Sequence, residues 1–158
     1  MPHRHALMPS RRPALVALIL GCLALASPPS GVLRAAESDR LGLVIIVNDE
    51  LDIPSIDDRE LRRLFLGERR TLPDGQRAAL ASYGPESSFF NERLLGLSDA
   101  EVAGVWSRLR FSGRSPVPRT FDDAASLVDF VARTPNAIGY VPAGAPREGT
   151  RVMTNLPR

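Results

Sequence analysis

Residues 41–48 read Leu-Gly-Leu-Val-Ile-Ile-Val-Asn, and the run Val44-Ile45-Ile46-Val47 decides the fold class. β-branched side chains are stiff at χ1 and favour extended backbone. Four consecutive apolar residues leave no face for water, so this strand must be covered on both sides, as in a mainly parallel sheet with helices on each face. Asn48-Asp49 ends the run and Pro54 lies in the loop that follows.

Working outward, Ser55 or Asp57 is placed to cap a helix whose Leu61, Leu64 and Phe65 recur three and four apart, with Gly67 as its stop. Pro73-Asp74-Gly75 is a turn, and Arg77 to Tyr83 reads as a short strand. Gly84-Pro85-Glu86-Ser87-Ser88 leads into a helix carrying Phe89, Phe90, Leu94 and Leu95, closed near Gly96. Ser98 with Glu101 three residues later matches a capping box for a helix that buries Val102, Val105, Trp106 and Leu109, with Phe111 expected to pack just beyond it. Gly113 to Pro118 is a loop. Asp122 or Asp123 opens a helix with Leu127, Val128 and Val131 on one side. Ile138-Gly139-Tyr140-Val141 makes a short strand, and a last strand runs through Arg151, Val152 and Met153. This order favours an α/β sandwich over a bundle or an all-β domain.

The amino end has a different character. Basic residues come first (His3, Arg4, His5, Arg11, Arg12), then an apolar run from Ala14 to Ala26. Ala24 and Ala26 give the small residues a signal peptidase needs, with cleavage expected before Ser27. The apolar run is about 13 residues where a spanning helix needs roughly 20, so residues 1–26 read as a signal peptide rather than an anchor. Ile19-Leu20-Gly21-Cys22 resembles a lipoprotein processing box, with Leu one position late; anchoring through Cys22 is the alternative exit route. Residues 27–40 read as a flexible leader and 41–158 as one domain. The location implied is periplasmic or secreted, with no stable membrane insertion of the mature form.

Cleavage changes the charge balance. The chain carries 20 basic residues, all arginine, against 18 acidic ones. Removing Arg4, Arg11 and Arg12 leaves 17 against 18, a formal charge of −1. A nucleic-acid binder needs a positive surplus to meet phosphates, so that class is excluded. Both histidines and the only cysteine leave with the same segment. Imidazole ligands, a Ser-His-Asp arrangement and a Cys nucleophile lose their residues, and the scattered acids lack calcium-loop spacing. No metal, no cofactor and no enzyme is expected.

Four stretches carry a resemblance. They are Val44 to Asn48; Glu60 to Gly67 followed by Leu72 to Gly75; Val105-Trp106 with Phe111-Ser112-Gly113 and the Pro116-Pro118 loop; and Pro135-Asn136-Ala137-Ile138-Gly139-Tyr140-Val141. In this order they resemble the phosphate-binding proteins that serve ABC importers, and specifically short, single-domain relatives within the type 2 periplasmic-binding-protein superfamily. The resemblance implies an α/β, periplasmic-binding-protein-like lobe, a mixed, mainly parallel sheet flanked by helices, similar mostly to the family's second lobe. The last stretch is close to the family's Pro-Gly-Ala-Ile-Gly-Tyr-Val.

The family's second-lobe anion loop resembles Arg-x-x-Gly-Ser-Gly-Thr, and here it corresponds to Tyr83 through Phe89. Ser87 fits the motif's Ser, while Ser88 replaces its second Gly and Tyr83 stands where the Arg would be. The resemblance therefore implies a ligand-binding set of Ser87, Ser88, Gly84, Tyr83, Asn48 and Tyr140. Ser87 and Ser88 sit at a helix start, where unpaired N–H groups and hydroxyls can cradle an anion; Ser87 as a plain cap is the competing reading. Glu86 would repel a phosphate unless it points away, and Arg77, Arg93 or Arg114 could supply the missing cation. Tyr140 and Gly139 read either as a core pair or as a hydroxyl beside a hinge. Two functions follow: a solute-binding module for inorganic phosphate or another oxyanion, or a single-lobe protein that docks to an envelope transporter or sensor subunit without binding solute.

Overall fold

The computed structural model describes residues 42–113 and 117–158. The segments expected to be a signal peptide and a leader, with Cys22, and Arg114 lie outside the described residues.

Strand β1 (Leu43–Asn48) is buried along its whole length, as its apolar run requires. Alternate side chains serve two cores. Leu43, Ile45 and Val47 enter one, and Val44 and Ile46 enter the other. After β1 the chain forms α1 (Asp58–Phe65), β2 (Ala79–Tyr83) and a helical run of three pieces. That run is a 3-10 turn over Gly84–Glu86, one α-turn over Ser87–Phe90 (α2), and a π-helical stretch over Asn91–Leu95. Then come α3 (Asp99–Phe111), β3 (Arg119–Phe121), α4 (Ala124–Arg133), β4 (Ala137–Pro142) and β5 (Thr150–Leu156).

The five strands form one mixed sheet in the order β3-β2-β4-β1-β5. β2 is parallel to β3 and to β4, whereas β1 is antiparallel to β4 and to β5. Helices α1, α2 and α3 pack on the face that carries Leu43, Ile45, Val47, Ile138 and Tyr140. Helix α4 covers the other face through Leu127, Val128 and Val131.

Local chemistry sets the helix starts. Asp57, not Ser55, caps α1 by accepting from the Glu60 N–H at 2.7 Å. Ser98 and Glu101 form the expected capping box on α3, and Asp123 caps α4 through the Ser126 N–H at 2.8 Å. Gly67 follows the end of α1 with φ +70°, a conformation that costs a side-chain-bearing residue about 1–2 kcal/mol. Asn136 takes the same left-handed region at φ 60° in the turn before β4. Asparagine is one of the few residues that tolerates it.

Three expectations need correction. Arg77 is not in β2 but forms an isolated antiparallel bridge with Thr71 across the Pro73-Asp74-Gly75 turn. Phe111 does not pack, standing 91% exposed on the last turn of α3. β3, three residues long, was not foreseen beside the proline loop.

Asn48 is also placed differently from a ligand residue. It is buried, and its amide donates to the carbonyls of Val131 at 3.1 Å and Ala132 at 2.8 Å while its Oδ1 accepts from the Glu50 N–H at 3.0 Å. Those carbonyls belong to the last turns of α4, which have no intrahelical partners. Asn48→Ala is expected to lower unfolding free energy by about 1–3 kcal/mol, because it leaves them buried and unpaired. Urea denaturation checks this: a shift of the midpoint at unchanged slope is the expected result.

Candidate functional site

The chain leaves β2 toward the α2–α3 face and leaves β3 toward the α4 face. Adjacent parallel strands whose carboxyl ends turn to opposite faces leave a crevice between them, and open α/β sheets bind ligands at such switch points. A cavity of about 180 Å³ lies there. Ser82 and Gly84 at the end of β2, and Thr120 of β3, form its floor with Tyr140 of β4. Ser87 and Asn91 reach it from the helical run. Its walls are Phe65, Phe90, Leu95, Val102, Trp106, Val117 and Pro118. A more open groove of about 420 Å³ runs between the end of α1 and α3, past Leu66, Arg70, Val105 and Arg108. It lies on helix surfaces away from the strand ends and has no hydroxyl or amide side chain in its lining, so the smaller cavity is the candidate site.

Strand register explains why these residues meet. Leu80 pairs with Ile138 and Ala81 with Gly139, so Ser82 and Tyr140 follow on one face. Ser82 pairs with Thr120 on the other side. The Tyr140 hydroxyl lies within hydrogen-bonding reach of the Ser82 side chain and the Tyr83 backbone N–H. An N–H can only donate, so the phenol oxygen accepts from Tyr83 and its proton remains for Ser82 or a ligand. The Tyr140 ring is stacked on Phe90, with centroids 3.8 Å apart and planes 8° off parallel, and both rings contact Phe65. Tyr140 is therefore both a core residue and a hydroxyl at the cavity.

Burial raises the ionisation of Tyr140 above its ordinary value of 10.0, with the Asp99 and Glu86 carboxylates adding to the rise. Tyr83 is shifted the same way by burial first and then by Glu86 and Asp123. The folded protein thus keeps these phenols neutral at a pH where the unfolded chain ionises them. For the buried Tyr140, stability is intact below about pH 10 and falls above it, by up to about 1.4 kcal/mol per pH unit, and the more exposed Tyr83 acts in the same direction. The sequence has no lysine to titrate in that range. Urea midpoints measured from pH 9 to 11 should fall, and Tyr140→Phe should flatten the decline.

Of the six residues expected at a ligand, Gly84, Ser87 and Tyr140 line this cavity. Ser87 is not an N-cap: its hydroxyl donates to the Gly84 carbonyl at 2.8 Å and its N–H turns back to the same atom. Ser88 is exposed and donates to Asp99 at 2.5 Å, and the Asn91 amide donates to the same carboxylate at 2.7 Å. These bonds, Ser88 first, hold Asp99 below the usual carboxylate range. Tyr83 contributes backbone rather than a lining side chain, and Asn48 lies at the opposite end of the sheet, beside the start of β4. Ser82, Asn91 and Thr120 were missed. The two-residue period of β2 offered a signal for Ser82, since it shares the face of Leu80.

The flanking charges are also assigned. Glu86 is held by Arg158 through contacts of 2.9 and 2.8 Å, and the same guanidinium lies 4.7 Å from the centre of the Phe89 ring. Arg93 donates to the Pro157 carbonyl at 3.3 Å. Arg77 precedes β2, at the strand end remote from Gly84. None of the described lining residues is charged. Among the described residues no group of His, Cys, Asp and Glu could hold a metal ion, and no helix is long and apolar enough to cross a membrane.

The sequence matches no protein-family model and no curated protein. Solved structures do match the architecture. An ABC-type phosphate transport receptor from Vibrio cholerae superposes with a TM-score of 0.54 at 17% identity over 72% of this chain. The fold is that of the periplasmic binding proteins. PstS from Borrelia burgdorferi gives 0.53 at 16% identity, and a Clostridium perfringens protein, described as a phosphate ABC transporter substrate-binding protein and solved with bound phosphate, gives 0.55 at 12%, each over 72% of this chain. The chain spans less than half the length of each, 45%, 47% and 44% respectively. It is a short structural relative of these binding proteins.

Proposed function

We propose that this protein is an exported solute-binding module that captures a small oxyanion in the cavity at the carboxyl ends of β2 and β3. The observation that carries the reading is the convergence of the Ser82, Thr120 and Tyr140 hydroxyls with the Asn91 amide on one cavity whose described lining has no charged side chain. Neutral hydroxyl and amide donors hold an anion through fixed dipoles, without a cation and without a chemical step. The Thr120 side chain, on an edge strand three residues long, is the donor least committed elsewhere. Glu86 is compatible with anion capture because Arg158 neutralises it. Delivery to an envelope transporter or sensor subunit is the partner relation this reading implies.

Calorimetric titration of the full chain with inorganic phosphate and with methylphosphonate tests it. Saturable binding that weakens at least about fivefold in Thr120→Val is expected, the loss of about one net hydrogen bond. Flat titrations with both anions up to millimolar concentration, with circular dichroism showing folded protein, would remove the reading.

A further inference from the structure

The cavity is two-sided in character. Donors come from the strand ends and the helical run, namely Ser82, Thr120, Tyr140 and Asn91. The apolar part of the lining comes from α3 and the segment before β3, through Val102, Trp106, Val117 and Pro118, together with Phe65, Phe90 and Leu95, and its only polar side-chain atom is the indole nitrogen of Trp106. A bare tetrahedral oxyanion presents acceptor oxygens in every direction. Oxygens turned toward the apolar side would lose their water without gaining a donor, a cost that polar groups do not recover on burial. A ligand with oxygens at one end and carbon at the other meets both sides.

Size points the same way. The cavity holds about 180 Å³, whereas one water needs only about 10–15 Å³ of such space. A four-oxygen ion seated against Ser82 and Thr120 leaves the Val102–Trp106 side to be filled by water or by a substituent, and filling it with carbon is favoured.

We propose that the cavity prefers an oxyanion bearing a compact apolar substituent, of the alkylphosphonate type, over inorganic phosphate. This rests on the oxyanion reading above and narrows it to a ligand class. It explains why aromatic and aliphatic side chains outnumber hydroxyls in the lining.

Calorimetry on the full chain with inorganic phosphate, methylphosphonate, ethylphosphonate and propylphosphonate tests it. Affinity should rise with chain length, by up to about fourfold per added methylene until the apolar side is filled. Val102→Ala, which deepens that side, should move the preferred substituent to a longer one, read as a change in the rank order of the series within the same variant. Phosphate binding as tightly as ethylphosphonate would overturn the preference and leave the oxyanion reading standing. Absence of binding across the whole series would overturn both.

Discussion

Phe90→Ala is expected to destabilise the fold by about 3–5 kcal/mol, the range for truncating a buried aromatic. Phe90 is 1% exposed and sits between two rings. It stacks on Tyr140 at 3.8 Å and meets Phe65 edge-on, with centroids 4.8 Å apart and planes at 65°. Such ring pairs add about 0.5–1.5 kcal/mol each beyond the area they bury. The three rings join α1, α2 and β4, so the loss loosens the helical layer from the sheet. Phe89 is the internal control. It is half-buried and packs at the edge of the core against the Arg158 guanidinium, so Phe89→Ala should cost about 1 kcal/mol or less. Urea titration of both variants separates them: equal midpoints would show that the triad does not anchor α2. Because Phe90 also lines the cavity, Phe90→Ala should weaken the proposed oxyanion binding together with stability.

The contrast between these neighbours shows what could be read beforehand. Both phenylalanines read as core from their place in a helical pattern, yet they are neighbours in the one α-turn Ser87–Phe90, where successive side chains point about 100° apart, and only Phe90 turns fully inward. Features decided by adjacent residues were legible. The β-branched run gave β1 and its two-sided burial, and the caps at Asp57, Ser98 and Asp123 follow from short side chains reaching nearby N–H groups. Features decided across the chain were not. β3 exists because β2 lies beside it in parallel register, and Arg-Thr-Phe carries no period of its own. The amide of Asn48 finds its carbonyls 83 and 84 positions away.

The site divides along the same line. Gly84, Ser87 and Tyr140 could be named from a motif, but their meeting with Ser82 and Thr120 depends on strand register and strand order. The motif also placed Ser88 in the site, whereas a carboxylate eleven residues later claims its hydroxyl. A polar residue near a helix start is legible, but its partner is not. The apolar residues that α3 adds to the cavity, Val102 and Trp106, have no counterpart in the anion loop.

Gly139→Val is the second large effect, expected to cost about 3 kcal/mol, at the upper end of the range for overpacking a core. Gly139 lies in β4 under α4. A Cβ there would stand 2.8 Å from Leu127 Cδ2, 3.2 Å from Ala81 Cβ and 3.3 Å from Val131 Cγ2. Leu127 and Val131 are buried on α4 and Ala81 is buried in β2, so none of the three has open space to retreat into. Valine adds two methyl groups beyond that Cβ and must lift α4 from the sheet. Lifting α4 also draws its last carbonyls away from the Asn48 amide, so the strain and the lost hydrogen bonds reinforce each other. Gly139→Ala should cost less, about 1–2 kcal/mol, since only the Leu127 contact falls below 3.0 Å. Combining Gly139→Val with Leu127→Ala separates close packing from backbone preference. If steric contact is the cause, the double variant should be more stable than the sum of the single losses predicts, by about 1 kcal/mol or more. Additive losses in urea titrations would instead place the requirement for glycine in the strand backbone and not in the seat of α4.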